Sequence, residues 1–494
     1  MLSICKYYIF SFGAVFMSFV SFEFLIFFVL FSSVYFLEQK FFFRKFLNQL
    51  ILFIAGILFY SFTGVKFLPF LLFSCASSWL LAFLVRKSRA LFLTSVALEL
   101  LPLIFFKYIN SVLSLFLEQH FTFILPLGIS FFTFQSLGYL LDVRRGNIEP
   151  EKNLLTVSLF VSFFPTVSSG PIQRAENLIP QFSRINAFDY GNATDGMKLF
   201  AWGFLKKFIV ADSISVYVNS VYSSPLQIYG CAVLLATLFY SFQIYFDFSG
   251  YSDMAIGISR FLGFDIGKNF DHPYLSKGCS EFWRKWHVSL SSWLRDYIYI
   301  PLGGSRCSLP RVCLNLMLTF LASGIWHGAS FSFVIWGALH GLYVCLERIF
   351  RKRLEKIPSL LRIFGTFLLV SFAWIFFRAE NVHDSFMLIK KLFHIPSEIF
   401  RTFPALTSSF GIKESVRQLF ALSDEVKGLT GIIFIFLKIL PVVAIELFTY
   451  KKSGLEIIRS QKTAVRWFLY SVFVLFVLLN IPQSRSTSFL YFNF

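Results

Sequence analysis

Charge is scarce in this chain, and what there is leans one way. Only 15% of its 494 residues are Asp, Glu, Lys or Arg, with 45 basic against 27 acidic side chains. A soluble chain of this length carries about 25% charged residues and interrupts its apolar runs more often, so a soluble globular class is excluded. The net charge of +18 does not gather on any segment standing clear of the apolar runs, which removes nucleic acid as a partner. Cysteine is sparse too. The seven are odd in number, scattered, and form no Cys-x-x-Cys pair, which argues against a disulfide framework or a zinc site. No His-Glu-x-x-His, Gly-x-Ser-x-Gly elbow, Walker loop or dinucleotide fingerprint occurs, so neither a metal nor a bound cofactor is expected. No internal repeat divides the chain into related halves.

What is abundant is apolar surface in long runs. Hydrophobic residues make up 56% of the chain, and phenylalanine alone numbers 70. Runs approaching the roughly 20 residues that cross a bilayer recur at 16–37, 47–63, 67–85, 91–106, 154–169, 233–248, 314–325, 331–345, 363–377, 431–447 and 467–479. Several are short or interrupted by Gly or Pro, so about a dozen helices are expected, some of them tilted or re-entrant. The fold class that follows is an all-α polytopic membrane protein with the lipid bilayer as its first partner. Basic residues mark the ends of the runs, at Arg86-Lys87, Arg144-Arg145, Lys206-Lys207, Arg351-Lys352-Arg353 and Lys451-Lys452. That is the pattern of loops held at an anionic membrane face. Regular patterning begins at Met17. Residues 1–16 are therefore expected to be an extension that is not native to the domain, leaving 17–494 as one membrane domain with its core at 245–341.

One stretch, 280–342, holds five of the nine Trp and three of the seven His. Imidazoles in so apolar a setting are costly unless they are used or satisfied. Across 281–297, Trp283, Trp286, Leu290, Trp293 and Tyr297 recur at alternating three- and four-residue spacing, with Arg284, Lys285 and Arg295 on the other side. The segment reads as one interfacial amphipathic helix with His287 on the shoulder between the faces. Pro301 and Gly303-Gly304 then turn the chain back toward the bilayer. Trp326-His327-Gly328 lies deeper, and Gly324 and Gly328 permit close approach of backbone or substrate. His340, thirteen residues further on, would not share a face with His327 on one straight helix and reads as structural.

Three further residues stand out before that stretch. Asp247 and Asp253 are six residues apart and point to different faces of an unbroken helix. Gly250 between them makes a break plausible, and the two carboxylates are expected to cap a helix or to pair with Arg260. Pro126 and Gly128 break a helix ahead of Gln135, which either lines a cavity or belongs to a kinked span bonded to its own backbone. The segment 175–196 reads as a polar loop.

An imidazole held neutral in a low-dielectric cavity is able to take a proton from a hydroxyl. His327 fits that description best; a packed histidine with both nitrogens satisfied is the alternative. His287 reads as interfacial, serving orientation or substrate contact. On the residues alone the reading stops at a membrane protein with one or two histidines in a cavity.

The motifs carry it further. Phe282-Trp283-Arg284-Lys285-Trp286-His287-Val288-Ser289-Leu290-Ser291, Trp293-Leu294-Arg295-Asp296-Tyr297 and Ile300-Pro301-Leu302-Gly303-Gly304 together resemble the signature of the membrane-bound O-acyltransferases. The similarity is to the bacterial branch that includes the alginate O-acetylation membrane subunit. Trp326-His327-Gly328, Trp336-Gly337-Ala338-Leu339-His340-Gly341, Asp247-Phe248-Ser249-Gly250-Tyr251-Ser252-Asp253 and the aromatic end at Tyr491-Phe492 match that branch as well. The resemblance implies a ring of tilted and re-entrant helices around a transmembrane tunnel in a multi-pass bacterial cytoplasmic membrane protein. It implies His327 as the essential residue and general base, with His287 near the tunnel's cytoplasmic mouth. It also implies an acyl thioester co-substrate, acetyl-CoA or an acyl-carrier protein. The acyl group, expected to be acetyl, passes to hydroxyls of an extracytoplasmic polysaccharide, directly or through a partner acetyltransferase outside the membrane. Trp283, Trp286 and Trp326 would shape and dry the site. Arg284, Lys285 and Arg295 would receive an anionic donor or else contact headgroups. Asp247, Asp253, Gln135 and His340 would line the tunnel or support it. The competing reading is a proton-coupled transporter or polysaccharide-export channel using the same histidines as a relay. The missing repeat and the lack of closely paired intramembrane carboxylates weigh against it.

Overall fold

The computed structural model describes residues 17–42, 44–62, 64–116, 123–184, 187–423 and 428–480. The extension expected at 1–16 and the aromatic end at 491–492 lie outside the described residues. Among those residues all regular structure is helical. The helices that matter below are, in chain order, α1 (Phe22–Phe41), α2 (Lys45–Ser61), α3 (Leu68–Ala82), α4 (Arg89–Phe116), α5 (Ile129–Arg145), α6 (Leu154–Ser162), α7 (Tyr190–Phe204) and α8 (Gly230–Phe261). They continue with α9 (Cys279–Lys285), α10 (Val288–Leu294), α11 (Leu309–His327), α12 (Phe331–Ile349), α13 (Ser359–Arg378), α14 (Gly428–Thr449) and α15 (Thr463–Asn480). By length and composition α1, the segment ending in α3, α4, α8, α11, α13, α14 and α15 are each able to cross a bilayer. The chain is an all-α multi-pass membrane protein.

Two compact units divide it. One runs through Met197 and takes in Ala255–Gly267; the other holds Lys198–Met254 and the chain from Lys268 on. In the first, phenylalanine supplies much of the packing that joins α1, α2 and the turn after α6. Phe59 meets Phe24 at 6.1 Å and Phe164 at 5.8 Å between ring centroids. Offset and edge-to-face contacts of this kind add to what area burial alone provides. Polar groups buried here find partners nearby. Ser77 and Ser78 of α3 donate to the Glu99 carboxylate at 2.6 and 3.1 Å, and the Gln135 amide donates to the Phe160 carbonyl. The break before α5 is where the sequence suggested it, at a left-handed Gly128 (φ 72). The segment 175–196 is not simply a loop. Leu178 and Phe182, four residues apart and buried, make a short amphipathic helix of Ala175–Phe182.

The break made plausible by Gly250 does not occur: α8 is unbroken over its 32 residues, those through Met254 lying in the second unit. Gly250 serves a close crossing instead. A Cβ there would stand 2.9 Å from the Lys207 nitrogen and 2.7 Å from the Gly203 carbonyl oxygen. The chain leaving α7 winds as a π-helix over Leu205–Ala211, one residue wider per turn than an α-helix. This carries Lys206 and Lys207, expected at a membrane face, into the interior. Lys206 reaches Asp253 at 2.6 Å, and Lys207 reaches both Asp247 and Asp212 at 2.7 Å. The expected pairing of these aspartates with Arg260 is thus replaced; Arg260 binds Asp195 at 3.0 Å. At the other end of α8, the Glu398 carboxylate accepts from the Gly230 and Cys231 N–H groups at 2.7 and 3.0 Å. A carboxylate there complements the helix dipole and satisfies donors that would otherwise be orphaned.

Candidate active site

The segment expected as one amphipathic helix is three pieces. After α9 the chain breaks at Trp286–His287, restarts as α10, and widens into a π-helical turn over Arg295–Tyr299. His287 is the pivot. Its backbone is left-handed (φ 42, ψ 56), a conformation a residue with a Cβ adopts only when its surroundings enforce it. The enforcing residue is Asn269. Its carbonyl accepts from the Val288 N–H at 2.9 Å, and its side-chain Oδ1 accepts from the Ser289 N–H at 3.2 Å and the Ser289 hydroxyl at 2.9 Å. The outcome corrects the interfacial placement of His287: the side chain is fully buried, because the break turns it inward rather than along a helix shoulder.

His327 ends α11 and is also buried. Gly324 of α11 and Gly337 of α12 bring these two helices into backbone contact, since a Cβ on either would strike a carbonyl of the other helix. That approach sets His327 against Trp336, with ring centroids 4.8 Å apart; Trp326 at 4.7 Å and Phe377 at 5.3 Å complete a cage of aromatic edges and faces. At Gly328 the close neighbour is the Phe333 ring of the same chain. The His327 Nδ1 stands 2.7 Å from the Ser323 carbonyl oxygen. A carbonyl only accepts, so Nδ1 carries the proton, and in the neutral ring the lone pair lies on Nε2. The same reasoning applies to His287. The Asn269 Oδ1, oriented by an obligatory backbone donor, lies 3.2 Å from His287 Nδ1. Both imidazoles therefore present Nε2 as acceptor.

His340 is the third buried imidazole and has the opposite polarity. The Trp283 indole N–H donates to its Nδ1 at 3.1 Å, so its proton sits on Nε2. It is not remote from His327, as a single straight helix would require. The chain reverses at Gly328, α12 packs beside α11, and Trp336 lies between the two rings, 4.8 Å from His327 and 5.0 Å from His340. Trp283 thus faces the core through His340, and Trp286 stacks on Phe282 (5.3 Å) and meets Trp374 (5.1 Å).

The cationic side chains of the motif are elsewhere. Arg284 is exposed, and Arg295 is exposed with its guanidinium 2.8 Å from Asp296. Lys285 pairs with Glu281 at 2.8 Å. Burial alone would raise the Glu281 carboxyl, but the Lys285 ammonium and the Lys277 N–H outweigh it and hold the group below its usual range. Gln135 belongs to the other unit, and Asp247 and Asp253 are engaged by lysines. Sequence reasoning missed Asn269, the Ser323 carbonyl and the inward Lys206 and Lys207. A backbone acceptor leaves no trace in residue identity, and Asn269 is eighteen positions from the ring it holds. The π-helical turn that redirects the lysines has no sequence signature either.

Residues 150–388 match the model of the MBOAT, membrane-bound O-acyltransferase family. The chain is 38% identical to a protein named probable alginate O-acetylase from Pseudomonas aeruginosa, across 70% of each chain. It is 34% identical to a peptidoglycan O-acetyltransferase of Helicobacter pylori, over 72% of this chain and 76% of that one. A teichoic acid D-alanyltransferase of Bacillus subtilis is 30% identical over 52% of this chain and 69% of the relative. With this extent of similarity, the chain belongs to the membrane-bound O-acyltransferase family and is an O-acyltransferase.

Proposed function

We propose that the chain moves an acetyl group from a cytosolic thioester, acetyl-CoA or an acetylated carrier protein, to hydroxyls of a polysaccharide outside the bacterial cytoplasmic membrane. Transfer is direct or passes through an extracytoplasmic acetyltransferase partner. The relatives named above act on alginate, peptidoglycan and teichoic acid, which share the features of a hydroxyl-bearing surface polymer. The two relatives of higher identity are acetyl-transferring, which favours acetyl over D-alanyl. Thioesters are made in the cytosol and the polymers lie outside, so the site must serve both sides of one membrane.

The observation that carries the reading is the 2.7 Å hydrogen bond from His327 Nδ1 to the Ser323 carbonyl, which leaves Nε2 as a base. In the proposed step Nε2 takes the proton of the acceptor hydroxyl while its oxygen attacks the thioester carbonyl. The tetrahedral intermediate collapses with breakage of the carbon–sulfur bond, and the imidazolium returns the proton to the leaving thiolate. Trp326, Trp336 and Phe377 around the ring exclude water that would otherwise hydrolyse the thioester. Arg284 and Arg295, both exposed, supply positive charge for an anionic donor. The test is purified wild type and His327→Gln with acetyl-CoA or acetyl-carrier protein and an oligosaccharide acceptor, following thiol release. Loss of about 10²–10⁴-fold in turnover at unchanged folding is expected. Turnover that survives the substitution removes His327 from the chemistry.

A further inference from the structure

The strained turn at His287 is built on one side chain, and the way that side chain is held assigns it more than a packing role. Asn269 is 1% exposed, and every polar atom of its side chain is engaged. Oδ1 accepts from the Ser289 N–H and hydroxyl and faces His287 Nδ1; Nδ2 donates to the Ser252 hydroxyl of α8 at 3.1 Å. The amide cannot be turned over without setting its NH2 group against the Ser289 N–H. Its oxygen is therefore fixed toward His287 by the backbone itself.

We propose that Asn269 is a positioning residue for acyl transfer: it locks His287 in the Nδ1-protonated tautomer, so that the ring's lone pair lies on Nε2 and makes it a second proton acceptor beside that of His327. This rests on the reading of His327 as base and extends it to the shell behind the second imidazole. The neighbours of His287 include Phe248 of α8, 4.6 Å away in an edge contact, Trp326 at 6.4 Å, and the hydroxyl of Ser289 at 3.4 Å from Nδ1. His327 on α11, itself an imidazole, is among the titratable groups that bear on it. A neutral amide therefore orients the ring without stabilising its charge. A carboxylate in the same place would orient it equally well and would hold the imidazolium, because an adjacent opposite charge favours the charged form. The sign is fixed: Asn269→Asp raises the pH at which His287 loses its second proton. The Ser252 hydroxyl, able to donate as well as accept, leaves no unpaired group in that variant.

The experiment uses the full chain in lipid nanodiscs with 15N-labelled histidine, the His287 resonances being identified by their loss in His287→Gln. In wild type the His287 ring is expected to show a protonated Nδ1 and a bare Nε2. A proton on Nε2 instead overturns the proposal with no variant needed. In Asn269→Asp the His287 titration is expected to move up by one pH unit or more, and in Asn269→Leu the tautomer preference is expected to be lost. An unchanged titration in a folded Asn269→Asp protein makes Asn269 merely structural. With acetyl-CoA as donor, the acid limb of thiol release is expected to move up with the His287 titration in Asn269→Asp. Movement of the basic limb instead identifies His287 as a proton donor and overturns the acceptor assignment. The ring spectra do not depend on turnover. Failure of the His327 reading, seen as turnover surviving His327→Gln, is thus told apart from failure of this one.

Discussion

His327 and His340 sit on adjacent helices, on either side of one indole ring, and they carry their protons on opposite nitrogens. At His327 a backbone carbonyl takes the Nδ1 proton and Nε2 becomes an acceptor; at His340 an indole N–H occupies Nδ1 and Nε2 becomes a donor. The residue type is the same, and both rings lie against Trp336. What differs is whether the partner is able only to accept or only to donate. Burial by itself makes an imidazole neutral; the partner decides whether it is a base. That is why one of these rings suits proton abstraction and the other suits holding Trp283 in the core.

The largest difference between the two rings is expected when each is replaced by glutamine. We expect His327→Gln to lower thioester turnover about 10²–10⁴-fold with little change in thermal stability. His340→Gln should leave turnover within a few-fold and lower the melting temperature. Equal kinetic losses in both variants would end the distinction between the two rings.

A large loss of stability is expected at a buried ion cluster of the same unit. Lys207 bridges Asp247 and Asp212, all three being nearly inaccessible. Lys207→Met leaves two carboxylates without their cation, and a loss of about 3–5 kcal/mol is expected. It should be read as reduced abundance in the membrane and reduced thermal stability, with turnover per folded molecule kept. Near-normal stability would show that the aspartates are satisfied by other means.

Trp283→Phe keeps the ring and removes the N–H that His340 Nδ1 accepts. The lost hydrogen bond to a buried acceptor should cost about 1–3 kcal/mol, measured by thermal unfolding in detergent. A thioester assay should show no shift in pH dependence, since His340 is not the base. A shifted profile would place His340 in the proton path.

The smallest effect is expected at the partly exposed ion pair of α9. Glu281 and Lys285 are partly exposed, so Lys285→Gln should change stability by about 1 kcal/mol or less. The Glu281 carboxyl is held below its usual range, so its contribution is present above the ordinary carboxylate pKa and lost as pH falls through the lower folded value. Lys285 is held above its usual range by the same partner although burial opposes it, so its contribution is lost only as pH rises past the folded value. Stability of wild type relative to Lys285→Gln should therefore converge at low pH. A difference that persists unchanged into strong acid would assign it to packing of the lysine stem.

Much of this protein was determined by its sequence alone. Apolar runs of bilayer length, ended by basic residues, fix an all-helical membrane chain, because backbone groups inside lipid have to be bonded within their own segment. The motifs across 282–304 carried the resemblance to the family, and Trp326-His327-Gly328 drew attention to His327, since a histidine in so apolar a run stands out by cost. Tertiary structure decided the rest. Periodicity placed His287 on the shoulder of one helix, yet Asn269, from outside that segment, turns the backbone left-handed and buries the ring. Spacing set Asp247 and Asp253 near Arg260, yet a π-helical turn delivers two lysines from another helix. His340 is distant from His327 along the chain and one ring away in space, because α12 folds back beside α11. Local pattern records which face of an element is apolar; it does not record which nitrogen carries a proton. That is set by a donor or acceptor reaching the ring, for His287 and His340 from a different segment, and only the fold brings those into contact.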